Sequence, residues 1–459
     1  MKRESAWTTY TEEQLLELEA VNLRYRQFLD AGKTERECVK EIIRQAEAAG
    51  YINLDEFEKS GKKLEPGDKV YTVMMKKAVT LFNIGEKKLS EGMNILGAHI
   101  DSPRLDVKQN PLYEEGGFSY LDTHYYGGIK KYQWVALPLA IHGVAVKKDG
   151  TVCEICIGEK EDEPVFFISD LLVHLSQKQL EKKAAVVVEG EDLNLTVGNI
   201  PLTGKEKDAV KENTLRIIEE QYGLHEEDFI SAELEIVPAG KARECGLDRS
   251  MIMAYGQDDR VCAYTSLEAM LRTESVEKTA VCILVDKEEI GSVGATGMKS
   301  RFFENSVARV MNCTGSYSEF DLRMALQNSK MLSSDVSSAY DPIYAASYEK
   351  NNVAYLSKGM VFNKFTGSRG KSGSNDANAE YLAELRRIMN ENDVKFQTAE
   401  LGKVDLGGGG TIAYILALYG MDVIDCGVAV LNMHAPWEVT SKADVYEVKK
   451  GYEAFLKNA

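Results

Sequence analysis

The sequence has 459 residues, with 55 Lys and Arg against 72 Asp and Glu, a net charge of −17 and only six His. That balance excludes a general nucleic-acid binder, which needs clustered basic residues to neutralise phosphate. A content of 44% hydrophobic and 28% charged residues is ordinary for a globular enzyme, and the length predicts two or three domains whose core needs no disulfide staples.

The first segment, MKRESAWTTYTEEQ, lacks the apolar h-region of a secretory signal, and no run approaches the roughly 18 apolar residues of a spanning helix. A cytoplasmic protein with no membrane partner is the expectation. The eight Cys are scattered, as reduced thiols would be. Cys153 and Cys156 have zinc-like spacing, but no second Cys pair or nearby His completes four ligands, and their segment alternates like a strand.

Residues 11–49 read as two amphipathic helices. The first carries Leu15, Leu18, Val21 and Leu23 and stops at Gly32; the second opens on a Thr34/Glu37 capping box and ends at Gly50. Residues 93–107, 279–297 and 421–438 each read as an apolar strand running into a polar loop, and 259–273 and 375–392 lie between them as helices. This alternation predicts an α/β core with a mostly parallel sheet flanked by helices, its functional groups at strand ends.

The middle third differs in texture. Short strand-like pieces (KKYQWVALPLAIHGVAV, TVCEICIG, KAAVVVEG) mark 106–240 as an inserted, mainly β domain, so that 1–105 and 241–459 form the α/β catalytic domain. The charged stretches 158–163 and 203–213 read as solvated loops.

Five segments carry chemistry. In GAHIDSPRL, His99 and Asp101 lie two apart after an apolar run and point to the same side of an extended backbone; alone, they could be a His bonded to a carboxylate within the core. In GQDDR, Asp258 and Asp259 precede a helix, where adjacent acids are also common as N-capping groups. In DKEEIGSVGATG, Glu288 and Glu289 follow a core strand, a costly place for two carboxylates unless they bind cations or move protons. Asp335 in SSDVSSAYDP and His434 in NMHAPWE follow further apolar runs. Oxygen and imidazole donors without thiolates suit zinc, manganese or cobalt, and a donor supply above four points to two ions and a metal-assisted hydrolase.

In that order and at those separations, the five segments resemble the M18 aminopeptidases, the aspartyl aminopeptidase family, including its bacterial members. The resemblance runs from the N-terminal helices past His434. It implies that Asp258 bridges two divalent ions, zinc first with cobalt or manganese as alternatives. It implies further that His99 and Asp335 complete one ion and Glu289 and His434 the other, that Glu288 is the general base, and that Asp101 orients His99. His174, in DLLVHLSQ, matches a His of the inserted domain that contacts metal or substrate.

The resemblance also implies an inserted dimerisation domain, a homo-oligomer of dodecamer size and peptide substrates with acidic N-termini. An acidic side chain entering a molecule of charge −17 needs a local cation, and Lys364, Arg369 and Lys371 lie in a Gly/Ser-rich segment between Asp335 and the next helix. The glycine run 407–410 lacks the Lys-Ser/Thr ending of a P-loop, and the resemblance implies that it is a loop near the active site whose backbone amides approach substrate. A metal-dependent deacylase of N-acyl amino acids would use the same ligands, and a catalytically silent scaffold would keep the same fold.

Overall fold

Four parallel strands form the centre of the molecule's largest sheet: Ala280–Val285, Asn94–His99, Lys330–Ser334 and Asp422–Gly427, side by side in that order. The computed structural model describes residues 4–459. Ala78–Asn83 and Lys69–Met74 extend the sheet antiparallel on one side, ending at Ile52–Asn53; Met360–Asn363, antiparallel, and Phe396–Thr398 complete its nine strands on the other. The central strands are apolar on both faces, as parallel strands covered by helices must be. Leu96, Ala98, Cys282 and Leu284 meet the helices Gln257–Arg272 and Lys442–Asn458. Ile95, Val281, Ile283, Met331 and Val423 meet Phe302–Thr314 and Glu319–Gln327. The expected α/β architecture is the one observed.

The chain separates into two units. One holds the described residues up to Asp101 with Ala242–Met433 and Glu438–Ala459; the other holds Ser102–Lys241 and His434–Trp437. The first also contains a five-stranded sheet of Arg243–Cys245, Met251–Ala254, Glu438–Ser441, Ala429–Leu431 and Ser337–Ser338. The second is built on an antiparallel six-stranded sheet in the order Val152–Ile157, Leu139–Val146, Ala232–Pro238, Arg104–Glu115, Phe118–Tyr126, Leu195–Gly198.

Both N-terminal helices form, at Glu12–Ala31 and Glu35–Ala48, and the Thr34/Glu37 capping box is made on both sides. The buried stripe of the first differs from the sequence reading. Leu18, Val21, Tyr25, Phe28 and Leu29 enter the core while Leu15 and Leu23 are exposed, because the aromatic residues one and two turns further on set the stripe's direction. KAAVVVEG is not a strand: Ala184–Val186 is a short 3-10 turn with no strand alongside to satisfy its backbone. The charged stretch 203–213 is a loop only in its first half, since the helix Ala209–Tyr222 begins inside it.

Cys153 and Cys156 point apart. Cys153 Sγ lies 3.6 Å from Tyr222 O, whereas Cys156 stands across the ladder from His142. All eight Cys are free thiols, and among the described residues no helix is long and apolar enough to cross a membrane.

Candidate active site

The carboxyl ends of the parallel strands point the same way, so the residues that follow them gather at one edge of the sheet. His99 ends its strand, Val285 leads to Glu288 and Glu289, and Ser334 leads to Asp335. Asp258 joins them from the start of the helix Gln257–Arg272, where Asp258 and Asp259 depart from helical φ/ψ.

His99 is 1% exposed. Its Nδ1 donates to the Asp101 carbonyl oxygen at 3.0 Å, with Asp101 Oδ1 at 3.3 Å, which leaves Nε2 as the lone-pair nitrogen. Nε2 is buried with no hydrogen-bond partner and faces Asp258 Oδ1 at 3.3 Å, Glu288 Oε2 at 3.8 Å and Asp335 Oδ1 at 3.9 Å. Two donor groups share this ring: His99 with Asp258 and Asp335, and His99 with Glu288 and Glu289. Asp101 does more than face His99. Its Oδ1 accepts the Glu288 N–H and its Oδ2 the Glu289 N–H, each at 3.1 Å.

The electrostatics show several acids crowded around a single imidazole. Burial, then the neighbouring charge of Asp259, with Glu288 and Asp258, pushes Asp335 well above the carboxylate range. Burial also pushes Asp259 up. Burial alone would lower His99, but the Asp101 and Asp258 carboxylates close to its ring, with the charge of Glu288, override it and raise it well above its ordinary value. A cation among these oxygens would relieve the repulsion and take the place of the imidazole proton.

His434 stands in the four-residue segment grouped with the second unit. There its Nδ1 donates to the Gly128 carbonyl at 2.8 Å, again making Nε2 the lone-pair nitrogen. His174 is exposed in the turn Val173–Leu175 of the same unit. Lys364 and Arg369 are exposed, while Lys371 pairs with Asp376 at 2.8 Å and lies over the Phe365 ring.

Two supporting residues escaped the sequence reading. Glu438 Oε2 accepts the Asp258 N–H at 2.9 Å, and the Glu438 carbonyl holds Gln257 at 2.7 Å. Asp425, buried in the central strand Asp422–Gly427, accepts Thr411 Oγ1 at 2.5 Å. The available signal for Asp425 was an acid inside a largely apolar strand, and for Glu438 an acid opening a strand just after His434.

Comparison with known proteins gives the chain's family. Residues 28–456 match the family model of the aminopeptidase I zinc metalloproteases (M18). A Clostridium acetobutylicum protein named probable M18 family aminopeptidase 1 is 63% identical over 99% of this chain and 98% of its own length. Among solved structures, aminopeptidase I from Clostridium acetobutylicum superposes with a TM-score of 0.94 at 61% identity, over all of both chains. An M18-family aminopeptidase from Thermotoga maritima gives 0.95 at 46%, again over all of both chains. A strand-end cluster of His and carboxylates and matches over nearly the whole length lead to one assignment: the chain belongs to the M18 family and is a metal-dependent aminopeptidase.

Proposed function

We propose that the protein is a two-metal aminopeptidase that removes residues one at a time from the free N-termini of peptides. The observation that supports it most is the setting of His99 Nε2, a buried nitrogen without a hydrogen-bond partner that faces three carboxylate oxygens 3.3 to 3.9 Å away. Donors at about 2.1 Å from a tetrahedral zinc lie about 3.4 Å from one another, so the nearest of these spacings matches donors around a cation. In this reading His99 and Asp335 hold one ion, Glu289 and His434 the other, and Asp258 both. Zinc suits the oxygen and imidazole donors, as would cobalt or manganese.

The bound ions would supply polarisation of the scissile carbonyl and a lowered pKa for the attacking water. The protein's own groups do the rest. Glu288 takes the proton of the water and passes it to the leaving amine. Asp101 keeps the Glu288 backbone fixed and, through its carbonyl, keeps the proton of His99 on Nδ1. Lys364 and Arg369 are exposed cations on a loop that follows a strand of the same sheet and would receive an acidic N-terminal side chain.

Assembly into a homo-oligomer, of dodecamer size by family likeness, is part of the proposal. Its support is the segment holding Leu172, Val173, Leu175 and Leu180, each more than half exposed and apolar. His174 lies within it and would reach a neighbouring subunit's substrate or metal. The test is hydrolysis of aminoacyl and N-acyl substrates by protein refilled with zinc, cobalt or manganese. Cleavage confined to free α-amines is expected; faster cleavage of N-acyl amino acids would make the protein a deacylase.

A further inference from the structure

Resting on that reading, we infer that Asp425 is a positioning residue: through Thr411 it fixes the glycine run 407–410 as a backbone strap for the main chain of a bound peptide. Three observations carry this. First, the strap is anchored to the strands that present the site. Thr411 Oγ1 donates to Asp425 Oδ1 at 2.5 Å, and Ser333 Oγ, two residues before Asp335, reaches the same oxygen at 3.3 Å. Ile412 packs toward Gly97, two residues before His99, where an added Cβ would stand 3.6 Å from Ile412 Cδ1.

Second, the four glycines are not alike. A Cβ on Gly407 would stand 1.7 Å from Leu401 O, and one on Gly408, at φ +123°, would stand 2.2 Å from Gly367 O, so packing demands glycine at both. Gly409 and Gly410 have no such reason: a Cβ there meets nothing within 4 Å, and neither has positive φ. Bare backbone facing open space at two successive residues suits close approach by another main chain.

Third, the segment is tied to the loop that carries Lys364 and Arg369, since Gly367 N–H donates to Gly409 O at 2.8 Å. Moving the strap would therefore move that loop. Asp425 itself is buried with Oδ2 lacking a hydrogen-bond partner, an arrangement with a cost that placement of Thr411 explains.

The test compares Thr411→Val, Thr411→Ser and Asp425→Leu in the full-length, metal-loaded protein. Thr411→Val and Asp425→Leu, which each remove one side of the anchor, should raise KM for a peptide about tenfold with kcat and metal content nearly unchanged, and Thr411→Ser should restore it. An unchanged KM in Thr411→Val, or a loss that Ser does not restore, overturns the inference. Hydrogen exchange reads the anchor without substrate: faster exchange over 407–411 in the Val variant but not the Ser variant is expected, and equal exchange in all three also overturns it. Wild-type protein that cleaves no aminoacyl substrate would sink the proposed function alone, since exchange still decides the anchor.

Discussion

Asp101 holds the Glu288 N–H on Oδ1 at 3.1 Å while its carbonyl oxygen accepts His99 Nδ1 at 3.0 Å. One residue thus sets the place of the proposed general base and the tautomer of a buried imidazole. Asp101→Asn keeps the shape but turns one acceptor into a donor facing an N–H. We expect a loss of about 10- to 100-fold in metal affinity or activity, as for other groups that orient metal ligands. Competition with a chelator checks it; unchanged affinity and rate would remove Asp101 from this role.

Glu288→Gln removes the proton acceptor and leaves the backbone turn in place. Turnover should fall by about 10²- to 10⁴-fold, with metal content per chain as in wild type. Metal analysis beside steady-state kinetics separates the two, and near-normal turnover would exclude Glu288 as the base.

Chelation should abolish activity and also lower thermal stability, because the acids crowded around His99 then lose the cations that offset their repulsion. A ligand at 100 times its Kd stabilises a fold by about 2.7 kcal/mol. Stripped protein should therefore melt at a lower temperature, regain the difference on refilling, and take up about two ions per chain on the two-metal reading. Equal melting temperatures with and without ions would contradict it.

Asp444 gives a pH test outside the metal cluster. Its carboxylate accepts the Ser357 and Gly359 N–H groups, each at 2.7 Å, yet burial pushes it to about 7. Between its ordinary value near 3.8 and about 7 the folded state holds this proton and the unfolded state does not. Stability is therefore lost as pH rises through that window, by at most about 1.4 kcal/mol per pH unit. Urea midpoints of wild type and Asp444→Asn should converge in slope only outside that window; parallel curves across it would refute the assignment.

Replacing Lys364 and Arg369 together by Ala should cut kcat/KM for peptides with N-terminal Asp or Glu about tenfold and leave Leu or Ala substrates nearly unaffected. Lys371, already paired with Asp376, should contribute less. A uniform loss over all substrates would assign the loop to structure and not to selection.

Strand-end motifs made much of this protein readable before folding. An apolar run followed by His99-x-Asp101, by Glu288-Glu289 or by Asp335 is a local pattern, and a parallel sheet sends such ends to one edge. The capping box at Thr34 and Glu37 was equally local. The misreadings came from elements decided by distant partners. KAAVVVEG has strand composition but no neighbour to pair with, and Leu15 and Leu23 have the right residue type on a side of the helix that Tyr25 and Phe28 turned outward.

What the sequence by itself determined is which residues are proposed as donors and their chemistry: imidazole and carboxylate, with no thiolate among them. Tertiary structure alone decided which groups support those donors, because Glu438 lies 180 residues from Asp258 and Thr411 14 from Asp425. Hydrogen bonds act over about 3 Å, and only the packed sheet brings such residues within that range.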